Sequence, residues 1–395
     1  MTKLTIKNFG PIKTALVELK KFNVIIGPQS SGKSCILKLA SFCKWLEKRI
    51  VLSQEVEEFL NADRIEEELF KFHKLSGFAK IDTVIDYDSN YMQFTIAYKD
   101  GQPNFTHKWK SKRRWKYKCP AIAYIPAERN IVAVISNWFD VKFERNNILS
   151  YMADWEEARK MFPIGNNLPI LDLGTTYYYN QNNKSDSIVV DEKGQTIEFT
   201  NASSGLQSVV PICVLISYLA NKKAYKAGVM SISNTREREE LKMKIEQSVE
   251  FKPNLNVYDI VNNLSIPQHV DLCLEEPEEN IFPSTQYQLV KWIAQQINAS
   301  PESSISITTH SPYILSSINN LLQASDVANT AKTDKILGAG VAIDYDSVSV
   351  YAIENGKCKS IKDSEHRLIA QSSLDAASDD ISDDFSKLLE LMPTE

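Results

Sequence analysis

The sequence predicts an α/β protein with a central mixed, mostly parallel sheet, an antiparallel β subdomain and helical insertions. Three observations carry this. Residues 22–38 (Phe22-Asn23-Val24-Ile25-Ile26-Gly27-Pro28-Gln29-Ser30-Ser31-Gly32-Lys33-Ser34-Cys35-Ile36-Leu37-Lys38) read as a short apolar strand, a glycine-bounded loop and the start of a helix. Further apolar strands at 120–125, 270–274 and 304–309 each end in polar residues, the pattern of parallel strands delivering side chains to one carboxyl edge. Residues 80–118 alternate in short runs broken by turn residues, as antiparallel strands do.

The chain opens with Lys3-Leu4-Thr5-Ile6-Lys7, the turn Asn8-Phe9-Gly10-Pro11, a second alternating run from Ala15 to Leu19, and the apolar strand Phe22–Ile26. A helix is expected from Lys33 to about Arg49, and helical spacing continues over 50–76 through Val56, Leu60, Ile65, Leu69 and Phe72. Tyr91–Tyr98 and the turn Lys99-Asp100-Gly101 lead to Lys108–Lys118, where seven of eleven residues are basic, with two Trp and a Tyr between them. That run reads either as an amphipathic strand or as a nucleic-acid contact using cations and stacking aromatics. Residues 131–165 read as helical. A hairpin over 187–199 delivers the chain to Ala202–Ser208 and a buried apolar helix over Val209–Ala220. Residues 221–250 are charged and helical in pattern. A helix over 284–298, strands near 340–343 and 347–353, a Ser/Asp-rich loop at 372–384 and a closing helix over 382–392 complete the reading.

Composition bounds the function. With 395 residues, 43% hydrophobic and 24% charged, the chain can bury a real core as one large or two ordinary domains. A net charge of −5 sets aside a molecule that binds polyanions over its whole surface. Charge is uneven: residues 1–50 carry ten Lys/Arg against two Glu, and the tail from Ile361 carries nine acidic residues against three basic. Six scattered cysteines without C-x-x-C read as reduced thiols of a cytoplasmic protein, and five unclustered histidines give no zinc pattern. No segment has the length of a membrane span, and the N-terminus lacks a signal-peptide core.

Gly27 and Gly32-Lys33-Ser34 fit G-x-x-x-x-G-K-[ST] in the required strand–loop–helix setting. Backbone N–H groups of Gln29, Ser30, Ser31, Gly32 and Cys35 can converge on phosphates, Lys33 can reach the β- and γ-phosphates, and Ser34 can hold Mg²⁺. Glu275 after the strand Leu272-Cys273-Leu274 is a second expected Mg²⁺ ligand, and Glu276 an expected general base toward water. His310, at the end of the next strand, is expected against the γ-phosphate.

These motifs resemble the ABC-type ATPase heads of the SMC/RecF and OLD group. The likeness rests on Gly27–Ser34 as Walker A, Ser203-Ser204-Gly205-Leu206-Gln207 as a signature-like segment, Leu274–Glu278 as Walker B and Thr309-His310-Ser311-Pro312 as the switch, with the opening Leu4–Gly10. The resemblance implies one ABC-type domain over 1–395, with insertions at about 50–118, 131–186 and 221–268 and a C-terminal sheet edge and helix over 323–395. It implies a homodimer or higher oligomer in which Ser204, Gly205 and Gln207 of one copy touch the ATP held by the other. Arg129, at roughly the Q-loop place, is counted with the nucleotide contacts. Departures are Leu206 for the second signature glycine, Glu275 for the usual Asp, and Glu128-Arg129 without a Gln.

Many members of the group are anti-phage defence proteins, among them the PtuA and AriA ATPases. OLD proteins add a Toprim nuclease. Here Asp344-Tyr345-Asp346 is an Asp-x-Asp, but only about 50 residues follow it, so an intrinsic nuclease is not expected. The implied function is a stand-alone ATPase that regulates a separately encoded effector, a nuclease or toxin. The alternative is a repair or chromosome-maintenance ATPase that contacts DNA through 108–118, with Lys110, Lys112, Arg113 and Arg114 on the phosphates.

Overall fold

The computed structural model describes residues 2–135, 144–190, 194–221, 232–248, 256–327 and 330–370. Strands β1 (Thr2–Phe9) and β2 (Ile12–Leu19) form a hairpin, and β3 (Phe22–Ile26) follows directly. Helix α1 (Lys33–Ser53) ends where Gln54 turns left-handed at φ 57° and returns its N–H to Ile50 O at 2.8 Å. Next come β4 (Ala79–Asp88), β5 (Met92–Lys99), β6 (Gln102–Trp109) and β7 (Pro120–Ile125). Helix α2 (Asn147–Arg159) leads to four strands: β8 (Leu168–Pro169), β9 (Thr175–Asn180), β10 (Ser185–Val190) and β11 (Gln195–Glu198). Among the elements that follow are α3 (Ser204–Ala220), α4 (Ile232–Gln247), α5 (Val257–Ser265), β12 (His269–Glu275), α6 (Pro283–Asn298), β13 (Ser304–Thr309), α7 (Pro312–Asp326), β14 (Val348–Glu354) and β15 (Lys357–Ser360).

One eleven-stranded sheet has the order β6-β5-β4-β1-β2-β15-β14-β3-β13-β12-β7. From β14 to β7 neighbouring strands are parallel, so their carboxyl ends share one edge. The strands from β6 to β2 are antiparallel and extend the same sheet rather than forming a separate unit. The second sheet, β11-β10-β9-β8, is antiparallel throughout and contains the expected hairpin.

Alternation along the strands divides the core. Phe22 and Val24 face one cluster with α3, α6 and α7, while Ile25 faces the other with α1, β1 and β5. In β14, Val348 and Val350 face the first cluster, and Tyr351 and Ile353 the second. This period of two is what a strand covered on both faces requires. β13 alternates differently: Ile305 and Ile307 enter the apolar core, while Ser304 and Ser306 lie toward α1. There Lys44 Nζ meets Ser304 Oγ and Asp271 Oδ1 at 2.9 Å each. Trp155 of α2 is fully buried against Tyr177 and Phe199, which fastens the small sheet to the main core.

Several expectations need correction. Residues 108–118 are not one strand: β6 ends at Trp109 and Ser111–Lys116 is a 3₁₀ helix. The helical spacing over 50–76 resolves into the end of α1, two four-residue helices and a π-helical turn at Glu66–Lys71. Residues 340–343 are not a strand. The expected loop at 372–384 and helix at 382–392 lie outside the described residues.

Candidate functional site

The carboxyl edge of the parallel strands gathers the loop after β3, the turn after β12 and the start of the segment after β13. In the first loop Gly32 has φ 106°, left-handed backbone that glycine adopts freely, and a Cβ there would lie 2.4 Å from Ile12 Cδ1. A Cβ on Gly27 would lie 2.9 Å from Ser31 Oγ and 3.1 Å from Ile353 O, so both glycines are fixed by close approach. The first helical bond of α1 is Ile36 N–H to Gly32 O at 3.1 Å, and no side chain caps the helix. The amides ahead of it therefore face the loop without helical acceptors. Ser31 Oγ is buried there with no partner. Uncapped amides, a buried unpaired hydroxyl and a lysine in one loop form a donor set that fits phosphate.

Lys33 is 4% exposed, and its ammonium donates to Gly27 O and Pro28 O at 2.8 Å each. It also lies 3.3 Å from His310 Nδ1. Desolvation lowers its pKa, against the opposing charges of Glu276 and Glu278. The other His310 ring nitrogen, Nε2, is 2.9 Å from Glu276 Oε1. Lys33, His310 and Glu276, drawn from three separate strand ends, thus form one continuous contact chain.

Glu276 owes its direction to the backbone. Its N–H continues the β12–β13 ladder onto Thr308 O at 2.9 Å, but its φ is 42°. A left-handed glutamate costs on the order of 1 kcal/mol, and here that conformation ends the strand and sends the carboxylate toward His310. Glu275 points to the other face. It is 4% exposed, accepting the Tyr124 hydroxyl at 2.7 Å on Oε1 and the Ala127 N–H at 3.2 Å on Oε2. Its charge helps raise the Cys35 thiol to about 11, after the larger effect of burial, which puts Glu275 near the first turn of α1. Among the described residues no group of three or more His, Cys, Asp or Glu could hold a metal on its own. The two oxygen donors the sequence offered for Mg²⁺, Ser34 and Glu275, differ in setting: Ser34 is half-buried in the first turn of α1, and both Glu275 oxygens are engaged by Tyr124 and Ala127.

Two residues without an assigned role prove central to this geometry. Glu278 Oε1 accepts the His310 N–H at 2.6 Å and the Thr309 hydroxyl at 2.8 Å, fixing the start of the histidine segment. Tyr124 fixes Glu275. The signal for Glu278 was its place in an acidic run around Pro277; for Tyr124 there was none beyond its position in a strand.

The signature-like residues lie elsewhere on the same edge. Ser203 Oγ caps α3 by accepting Leu206 N–H at 3.4 Å, and Ser204 is exposed. Gln207 turns back to donate to Thr200 O at 2.9 Å. Among the described residues, no hydrogen bond or ion pair joins Ser204, Gly205 or Gln207 to residues 27–35 of the same chain. Arg129 corrects the expectation of a nucleotide contact. It is 0% exposed and its guanidinium is spent on main-chain carbonyls, so it presents no donor to a phosphate at the surface.

Four of the seven basic residues of the 108–118 run have named partners within the fold. Lys110 pairs with Asp88, Lys118 with Glu302, and Arg113 donates to Asn90 Oδ1 at 3.2 Å. Arg114 donates to Gln54 at 2.7 Å, with its guanidinium 4.2 Å from the Trp109 ring centre. Asp344 caps the 3₁₀ turn Tyr345–Ser347 and Asp346 lies within it, facing Arg367 at 3.8 and 3.9 Å.

No family model matches the sequence, and no curated protein matches it. Among solved structures, the chain is similar to the SMC head domain from Thermotoga maritima, at 10% identity over 91% of this chain and 97% of that one, with a TM-score of 0.38. It is similar to the Pyrococcus furiosus Smc head domain bound to the C-terminal domain of ScpA, at 9% identity over 97% and 100%, TM-score 0.39. It is also similar to the recombination mediator protein RecF, at 12% identity over 91% and 97%, TM-score 0.33.

Proposed function

We propose that this chain is an ABC-type ATPase of the SMC/RecF/OLD group, a single head with insertions, that binds ATP with Mg²⁺, closes head-to-tail on a second copy, and regulates a separately encoded effector in anti-phage defence. The observation that carries the ATPase reading is the Lys33–His310–Glu276 chain beside an uncapped, glycine-shaped loop. Lys33 exchanges its two carbonyl partners for phosphate oxygens. Ser34 and Glu275 would hold Mg²⁺, which would supply charge neutralisation at the phosphates. Glu276 orients and deprotonates the attacking water, and His310 passes between that carboxylate and the lysine region as a hydrogen-bonded link. Exposed Ser204 at the start of α3 is free of loop 27–35 of its own chain, as a residue offered to a second copy needs to be.

The defining experiment measures ATP turnover of the purified chain against Lys33→Ala and Glu276→Gln. The reading requires turnover in the parent, loss of binding in the first and loss of turnover with retained binding in the second. Parent activity equal to that of Glu276→Gln would sink it. The effector follows from the resemblance of the motifs, and affinity purification from the native host tests it: a co-purifying nuclease or toxin supports it, and recovery of the chain with DNA alone refutes it. Among the described residues no helix is long and apolar enough to cross a membrane.

A further inference from the structure

Arg129 follows β7, in the 3₁₀ turn Ala127–Asn130, and is among the largest fully buried side chains. Its Nε donates to Ser208 O at 2.9 Å, Nη1 to Glu275 O at 3.0 Å and Nη2 to Glu276 O at 2.9 Å. Glu279 Oε2 lies 3.5 Å from Nη1, and the Tyr151 hydroxyl holds the Arg129 carbonyl at 2.7 Å. One planar side chain therefore bridges three carbonyls from two segments that are far apart in sequence. The same two segments touch again where Asn280 Nδ2 donates to Ser208 Oγ at 3.2 Å, and where a Cβ on Gly205 would lie 3.0 Å from Asn280 O.

A buried guanidinium is costly, and an apolar side chain of similar size would fill the space at lower cost. What an apolar residue cannot do is fix two backbones in one register. Leucine makes no directed bond; arginine's fork makes several in a fixed plane.

We propose that Arg129 is a positioning residue that locks the start of α3 to the Glu275–Glu276 turn. This rests on the ATPase reading for its consequence. Glu276 serves the nucleotide of its own chain, whereas Ser204 and Gly205 face that of the second copy. A rigid link between them makes closure on one nucleotide set the carboxylate at the other. The two sites of a pair are thereby coupled through Arg129.

The test uses the full chain with Arg129→Lys, whose ammonium cannot span three carbonyls, and with Ser208→Ala, which removes the hydroxyl that accepts from Asn280 and leaves the left-handed backbone of Asn280 (φ 59°) untouched. Amide hydrogen exchange without nucleotide reads the lock directly. In Arg129→Lys the amides of 204–208 and 275–280 should exchange together, about tenfold faster or more, with distant core amides unchanged. Ser208→Ala should show the same pairing at about two- to threefold, and decides the matter if the first variant fails to fold. Acceleration in one segment alone, or in neither, overturns the proposal. Turnover reads the consequence: kcat per nucleotide-binding site should fall about tenfold with KM within about threefold, and any Hill coefficient should drop toward about 1. Unchanged kcat and cooperativity in a folded Arg129→Lys chain also overturn it. A parent chain with no ATP turnover would defeat the ATPase reading, while the exchange result would still stand or fall by itself.

Discussion

His310 Nε2 lies 2.9 Å from Glu276 Oε1, across the gap between the ends of two adjacent parallel strands. Neither residue reaches the other by strand geometry alone. Glu276 does so through its left-handed backbone, and His310 because Glu278 holds its N–H at 2.6 Å. His310→Ala should lower kcat by about 100-fold while ATP affinity stays within about threefold, as expected for a group that orients a base without carrying the binding. Steady-state turnover with a separate nucleotide titration checks this, and unchanged kcat would remove His310 from the chemistry.

Gly32→Ala should be among the most damaging single-methyl changes. The residue has φ 106°, and the new Cβ would meet Ile12 Cδ1 at 2.4 Å. Strain of about 1–3 kcal/mol is expected, with loss of nucleotide binding as the loop shifts. Adding Ile12→Val, which removes the Cδ1 that the new Cβ meets, should restore part of the thermal stability and little of the binding, because the backbone conformation stays wrong for alanine.

Glu47 predicts a pH dependence. It is buried against the Ser89 and Tyr87 hydroxyls, and burial pushes its carboxyl from 4.5 up to about 7. The folded chain then holds this proton more tightly than the unfolded one, so its contribution is complete below about pH 4.5 and is lost as pH rises through about 7. Glu47→Gln should flatten that decline by up to about 3 kcal/mol, most visibly on the alkaline side. Melting temperatures of both chains across this range decide it; parallel curves would refute the assignment.

Arg114→Ala should act on stability. The side chain donates to Gln54 at 2.7 Å and lies 4.2 Å from the Trp109 ring centre and 4.9 Å from that of Trp115. Loss of about 1–2 kcal/mol in denaturant unfolding is expected. If the parent chain retains duplex DNA, the variant should show the same salt dependence; a shallower slope would instead make Arg114 a phosphate contact.

Much of the fold was legible because it depends on local signals. The strand–loop–helix at 22–38, the fully buried strand at 304–309 and the apolar helix over 209–220 carry their periodicity or apolar run in consecutive residues. The basic stretch at 108–118 misled because near-alternation there coincides with a strand end followed by a 3₁₀ turn, and aromatic stacking on Arg114 replaces strand pairing. Arg129 misled for another reason: its position after a strand end suggested an edge residue, and its burial depends on α3 and the Glu276 turn, neither of which is near it in sequence.

The sequence by itself determined the phosphate-type loop, the order of the parallel strands' polar ends and the residue types available to the site. Those are properties of spacing and of side-chain chemistry, and they need no partner segment. Only the tertiary structure decided which of these residues meet. It joined Lys33 to His310 and His310 to Glu276, turned Glu275 away to Tyr124, and withdrew Arg129 from the edge to bind three carbonyls. The physical reason is that hydrogen-bond geometry falls off within a few tenths of an ångström, so pairing is set by strand register and backbone torsion that spacing along the chain does not specify.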